Sequence, residues 1–238
     1  MVNTAVILAA GMGTRLGSHT QDKPKAFLEV GGTSLIQRSL DNLKKTGIKN
    51  VLIGTGYKKE FFEKISNTFS SLSFIHNPIF SETSSMHTLY LMRKAIAGEF
   101  LLLESDLLYS PDMLELAINE TSRSVVVSSR SLDNSDEVYL EVNSSGFYCN
   151  VSKNKSELKS IHSILTGISK LSLNTYKMMC EDYESNLEQN KKIDYEKTLS
   201  HVGEKAQVIL KTCQDIPWCE IDDESHLQYA IANILPRL

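Results

Sequence analysis

Short apolar runs rich in Val, Ile and Leu recur along the chain, with amphipathic stretches between them. A strand covered on both faces reads as a nearly continuous apolar run, so this alternation predicts a largely parallel sheet between layers of helix. Strands are predicted at 4–10 (TAVILAA), 50–56 (NVLIGTG), 72–77 (LSFIHN), 99–105 (EFLLLES) and 123–129 (RSVVVSS). Between them the apolar spacing predicts helices at 34–47, 58–69, 84–97 and 111–120. The first ends at Gly47, suited to a C-cap, and the last opens with Ser110 as N-cap and Pro111 in its first turn. After Arg130 the texture becomes alternating over 136–153 and is broken at Ser144, Ser145 and Gly146, which predicts an antiparallel hairpin laid against the sheet. A strand at 162–172, helices at 173–185 and 195–203, strands at 206–212 and 216–222 and a last helix at 223–235 complete the reading. The fold class expected is α/β: a Rossmann-like mixed, mostly parallel sheet with helices on both faces, carrying a small β-hairpin and a helical lid.

Composition narrows the partners. The 238 residues carry a net charge of −4, with acidic and basic side chains intermixed, and offer no basic stripe for nucleic acid. No apolar run approaches a membrane span, and the first residues lack the basic start of a signal peptide. The expectation is a cytoplasmic protein with no nucleic-acid or membrane partner; a fused partner domain and a homo-oligomer are both compatible with it. Cys149, Cys180, Cys213 and Cys219 are scattered without metal-ligand spacing and read as reduced thiols.

The chemistry concentrates where the first strand ends. The stretch VILAAGMGTRLG runs from an apolar strand into a turn in which Gly11 and Gly13 let backbone N–H groups approach a ligand, while Thr14 and Arg15 add side-chain donors. The third glycine falls at Gly17 and the second strand ends in IGTGYKK, which departs from the dinucleotide-binding fingerprint. In KPKAF, Pro24 holds Lys23 extended and presents Lys25 from a stiff segment. Asp106 lies just past a buried strand, where open α/β sheets bind ligands. Glu220 and Asp222, two apart on a predicted strand, would face one side.

LAAGMGTRL followed by KPK resembles the nucleotidyltransferases that activate sugar phosphates and small phosphorylated alcohols. The length and the ending WCEIDDESHL look most like the bacterial 2-aminoethylphosphonate and phosphocholine cytidylyltransferases. The resemblance implies a nucleotidyltransferase (GT-A-like) fold in one unit over 1–238. Within it, 1–130 would be the nucleotide-binding core, 131–205 an acceptor-binding lid, and 206–238 the metal strand and closing helix.

It also implies an enzyme that transfers CMP from CTP to a small phosphonate or phosphate amine, with Mg2+ as cofactor. Magnesium prefers carboxylate and phosphate oxygens, which suits Asp106, Glu220 and Asp222. Lys25 and Arg15 are the expected catalytic cations. Leu8, Ala9, Ala10, Gly11, Met12, Gly13, Thr14, Asn77, Ser84, Ser85 and Ser105 are expected around the nucleotide, although many relatives carry asparagine where this chain has Ser84 or Ser85. Tyr139, Lys153, Asp194, Tyr195 and Glu196 are expected around the acceptor. A primary ammonium asks for carboxylate or carbonyl acceptors and a quaternary one for an aromatic cage, so the acidic flanks of Tyr195 favour 2-aminoethylphosphonate over phosphocholine. A sugar-1-phosphate or methylerythritol-phosphate nucleotidyltransferase and a catalytically silent nucleotide sensor are the remaining alternatives.

Overall fold

The structure, a computed structural model, describes residues 2–65, 71–122, 124–130, 137–187 and 191–238. Strands β1 (Thr4–Ala9), β2 (Glu29–Val30) and β3 (Thr33–Ser34) precede helix α1 (Leu35–Lys45), β4 (Asn50–Thr55), α2 (Glu60–Glu63), β5 (Leu72–His76) and α3 (Ser85–Leu91). Next come β6 (Phe100–Glu104), β7 (Leu107–Tyr109), α4 (Asp112–Ile118), β8 (Val125–Ser129), β9 (Tyr139–Val142) and β10 (Tyr148–Ser152). The chain ends with β11 (Ser163–Leu171), α5 (Leu173–Ser185), α6 (Tyr195–Gly203), β12 (Ile209–Thr212), β13 (Trp218–Glu220) and α7 (Glu224–Tyr229).

The main sheet runs β10-β9-β11-β6-β1-β4-β5, with β8 paired to β11 and β12 to β8. The pairs β6–β1, β1–β4 and β4–β5 are parallel, as the alternation of apolar runs and helices predicts. β11 enters the middle antiparallel to β6, β8 and β9, so β6 and β8 are not neighbours. Alternate side chains of β1 go to opposite layers. Ala5, Ile7 and Ala9 pack with α1 and α4 residues such as Ile36, Leu40 and Met113, while Val6 and Leu8 pack with Met86, Leu89 and Met179 of α3 and α5. Burial on both faces, at about 1.5–3 kcal/mol per large aliphatic side chain, explains the unbroken apolar run.

Several boundaries move. The helix expected at 58–69 is the short α2, and residues 66–69 of that expectation lie outside the described residues, as do Arg123, Asp136 and the first residues of the expected lid, 131–135. The helix expected at 84–97 ends at Leu91 and continues as turns. The closing helix is regular only through Tyr229 and then widens to a π-turn over Ala230–Ile234. Ser110 sits one position earlier than expected, its hydroxyl accepting from the Asp112 N–H. Gly47, at φ 81°, follows the end of α1 as its C-terminal signal requires.

Candidate active site

At the C-terminal edge of β1 the chain turns through Gly11 and Gly13, and Gly13 adopts φ 64°. A Cβ on Gly13 would lie 2.8 Å from Cβ of Lys25, so the glycine turn and the KPK segment touch, and the contact requires glycine. The Thr20 hydroxyl closes the loop by donating to the Gly13 carbonyl at 2.7 Å.

Across the edge, β6 stops at Glu104, the chain bends at Ser105 and Asp106, and β7 turns away to pair antiparallel with β13. That register sets Leu107 opposite Glu220, and the Ile221 N–H donates to the Asp106 carbonyl at 3.1 Å. Two segments more than a hundred residues apart are thereby brought together. β13 ends at Glu220, so Asp222 lies beyond the strand that was expected to carry both carboxylates. The Asp222 N–H donates to Nδ1 of His226 at 3.3 Å, and Asp223 caps α7 through the His226 N–H.

The Lys25 ammonium donates to Asp106 Oδ2 at 2.6 Å and to Asp222 Oδ1 at 2.5 Å, and Arg15 Nη2 lies 2.8 Å from the same Asp222 oxygen. Lys25 is 8% exposed. Burial works against its charge, but Asp106 and Asp222 override it and hold the ammonium well above the ordinary lysine range. Burial also opposes ionisation of Asp222, where Lys25 and then Arg15 prevail and lower it. Glu220 goes the other way: burial and the charges of Asp106, Glu104 and Asp222 push its carboxyl up against the weaker pull of Lys25. Burial and Asp106 also raise Glu104, whose Oε1 accepts from the Tyr195 hydroxyl at 2.7 Å.

These groups line a cavity of about 510 Å³. Of the residues expected at the site, it collects Leu8, Ala10, Gly11, Gly13, Thr14, Arg15, Lys25, Ser84, Ser85, Ser105, Asp106, Lys153, Asp194, Tyr195, Glu196, Glu220 and Asp222. Four do not line it. Ala9 packs in the core, and Met12 points outward at 41% exposure. Asn77 is buried, with its amide donating to the Thr83 and Thr88 hydroxyls and its oxygen accepting from the Ile79 N–H. Tyr139 is buried beneath the ammonium of Lys155, 4.7 Å from its ring centroid. Sequence reading passed over Glu104, Glu137, Gly167 and His226, which also line the cavity. Glu104 carried a signal: it stands two residues before Asp106 at the strand end, the same spacing that flagged Glu220 and Asp222.

A carboxylate oxygen from each of Glu104, Asp106 and Glu220 lies within 4.8 Å of the others. Oδ1 of Asp106 is buried without a hydrogen-bond partner. Three clustered carboxyls, one of them with an unpartnered buried oxygen, are the donor set a hard divalent cation takes, so these residues fit magnesium.

Residues 5–140 match the model of the MobA-like NTP transferase domain family. The chain belongs to that family. It is similar to the bifunctional IPC transferase and DIPP synthase of Thermococcus kodakarensis, 29% identical over 95% of this chain and 49% of that protein. It is also similar to the CMP-5'-(3-aminopropyl)phosphonate synthase of Streptomyces rubellomurinus, 29% identical over 54% of this chain and 21% of that one. The chain thus spans about half the length of the first relative and a fifth of the second. The solved CTP:phosphocholine cytidylyltransferase of Streptococcus pneumoniae shares the fold, with a TM-score of 0.77 at 21% identity over 97% of this chain and 98% of that one. Among the described residues no helix of this family member is long and apolar enough to cross a membrane.

Proposed function

We propose that the chain, read as one nucleotidyltransferase unit over 1–238, transfers CMP from CTP to 2-aminoethylphosphonate in a magnesium-dependent reaction. A phosphonate oxygen forms a bond to the α-phosphorus as the bond from that phosphorus to the bridging oxygen breaks, and pyrophosphate leaves. The acceptor oxygen is already anionic near neutrality, so no general base is needed.

One observation carries this reading. Among the described residues lining the cavity, seven bear carboxyls (Glu104, Asp106, Glu137, Asp194, Glu196, Glu220 and Asp222), buried and crowded enough that Glu104, Glu196 and Glu220 are shifted up, against the cations Arg15, Lys25 and Lys153. Two polyanionic substrates would be repelled from such a site unless cations accompany them. A divalent metal meets part of that demand, and an ammonium on the acceptor meets more of it. A neutral polyol phosphate would not.

The roles follow from position. The glycine turn, from Leu8 to Thr14, takes the triphosphate on its N–H groups, with Ser84, Ser85 and Ser105 as polar lining for the nucleotide. Lys25 and Arg15 exchange their present carboxylate partners for phosphate oxygens and offset charge that grows on the α-phosphoryl group and the departing pyrophosphate. Asp106 and Glu220, with Glu104 and Asp222 beside them, would hold Mg2+, whose chemistry when bound is charge neutralisation on the α-phosphate and the attacking oxygen. Lys153, Asp194, Tyr195 and Glu196 form the acceptor wall.

Phosphocholine is the second reading, favoured by the solved Streptococcus relative and by Trp218 and Tyr195 in the lining. The test is pyrophosphate release from CTP and Mg2+ with 2-aminoethylphosphonate, phosphocholine and glucose 1-phosphate at matched concentrations. Preference for the aminophosphonate is expected. Preference for phosphocholine replaces the acceptor, and silence with all three moves the chain to a nucleotide sensor.

A further inference from the structure

We infer that Glu104 is the residue that selects a primary amine on the acceptor, by seating its ammonium. The inference rests on the aminophosphonate reading and assigns its specificity to a side chain that neither the glycine turn nor the KPK segment contains.

Three observations converge on Glu104. It ends β6 on the same side as Asp106, with a carboxylate oxygen within 4.8 Å of those of Asp106 and Glu220. A phosphonate bound over Asp106 would therefore carry a group two carbons away into reach of Glu104. Second, the carboxylate is held in place. The buried Tyr195 donates its hydroxyl to Oε1 at 2.7 Å, and the start of α6 is stapled to α3 by Ser85, whose oxygen accepts from the Tyr195 N–H at 2.9 Å and donates to Asp194 Oδ1 at 3.0 Å. Third, space is kept beside the other oxygen. β11 changes register between Leu165 and Ile168, and Gly167 in that bulge adopts φ 75°. A Cβ there would lie 3.0 Å from Oε2 of Glu104.

A carboxyl oriented by a neutral phenol and lining the cavity is suited to receive a cation. Lys25 does not supply that cation, since its ammonium is taken by Asp106 and Asp222. A primary ammonium has three N–H donors to offer such an oxygen, and a quaternary one has none. The Glu104 carboxylate therefore discriminates between the two head groups as well as retaining charge.

The test is titration calorimetry on the full chain with Mg2+ and a non-transferable CTP analogue, comparing 2-aminoethylphosphonate with ethylphosphonate, which lacks only the amine. The wild type is expected to prefer the amine by at least ~10²-fold, as sites built around a polar substrate group do. Glu104→Gln should bring that ratio close to one, with any loss that comes through the neighbouring metal site falling equally on both phosphonates. Gly167→Ala should narrow the ratio without changing any charge. Glu104→Asp, which keeps the charge one methylene further back, should shift preference towards 3-aminopropylphosphonate and stands in if the glutamine variant does not fold.

A ratio that survives Glu104→Gln overturns the inference. So does a parallel loss of both ligands together with a raised Mg2+ requirement, because that would make Glu104 a metal ligand only. Pyrophosphate release by the wild type is measured alongside. No turnover with an intact, Glu104-dependent amine preference would sink the transfer reading and leave Glu104 as the ammonium seat.

Discussion

At the scale of single residues the site is a set of opposite charges holding one another in the space the substrates would occupy. Lys25 between Asp106 and Asp222 stays protonated throughout the physiological range, so its own titration should not appear in a pH–rate profile near neutrality. Removing the ammonium takes away preorganised positive charge and leaves two carboxylates facing each other. Lys25→Ala should lower pyrophosphate release by about 10²–10³, or roughly 3–4 kcal/mol of transition-state stabilisation. Near-normal turnover would remove Lys25 from the catalytic set. The residues that bear the chemical motif were legible one by one, because a glycine turn, a proline-backed lysine and strand-end carboxylates each have a local reason to stand where they do. Tyr139 illustrates the limit. Tyrosine beside a charged segment looks like a ligand in sequence, yet its alternation in β9 turns the ring into the core beneath Lys155.

At the scale of elements, strand ends and helix starts do the positioning. Asn77 was expected near the nucleotide, but its amide ties the end of β5 to Thr83 and to Thr88 in α3, just behind Ser84 and Ser85. Asn77→Ala should therefore act first on stability. Losing the amide leaves buried partners unmet, at a cost of about 1–3 kcal/mol, and a thermal melt should detect it before the KM for CTP moves. A raised KM at unchanged melting temperature would restore Asn77 to the binding site. The bulge in β11 belongs to this scale as well. Glycine at 167 suits both the φ of 75° in the bulge and the close approach of Glu104 and Leu107, and tertiary structure supplies both reasons.

At the scale of the molecule, the cavity concentrates negative charge, which makes stability depend on pH and metal together. Glu220 has a raised folded-state pKa. A carboxyl shifted that way contributes stability in full below its unfolded value, near 4.5, and loses it as pH rises through the folded value. The metal-free protein therefore weakens from this group as pH increases, and magnesium, competing with the proton for the same oxygens, gains. The rise in melting temperature with Mg2+ should be larger at pH 8 than at pH 5.5, and Glu220→Gln should flatten the difference. CTP and Mg2+ together at about a hundred times their dissociation constant should add ~2.7 kcal/mol, or roughly 5–10 °C for a chain of this size. A Mg2+ effect that is independent of pH would take Glu220 out of the metal site.

The amino-acid order alone determined the layered α/β class, the long strands but not the short β2, β3 and β7, most helices, the glycine turn with Lys25, and the position of Asp106 past a buried strand. These are consequences of local periodicity and backbone chemistry, which a chain carries wherever it folds. Tertiary structure decided what the pattern cannot encode. It inserted β11 antiparallel in the middle of the sheet, paired β7 with β13 so that Glu220 and Asp222 meet Asp106, set Asp222 against Lys25 and Arg15, and brought Glu104 under Tyr195 beside a bulged Gly167. Strand order and register arise from long-range pairing and the burial of whole faces. A carboxylate's partner, and with it the carboxylate's role, is therefore fixed by segments up to a hundred residues away or more.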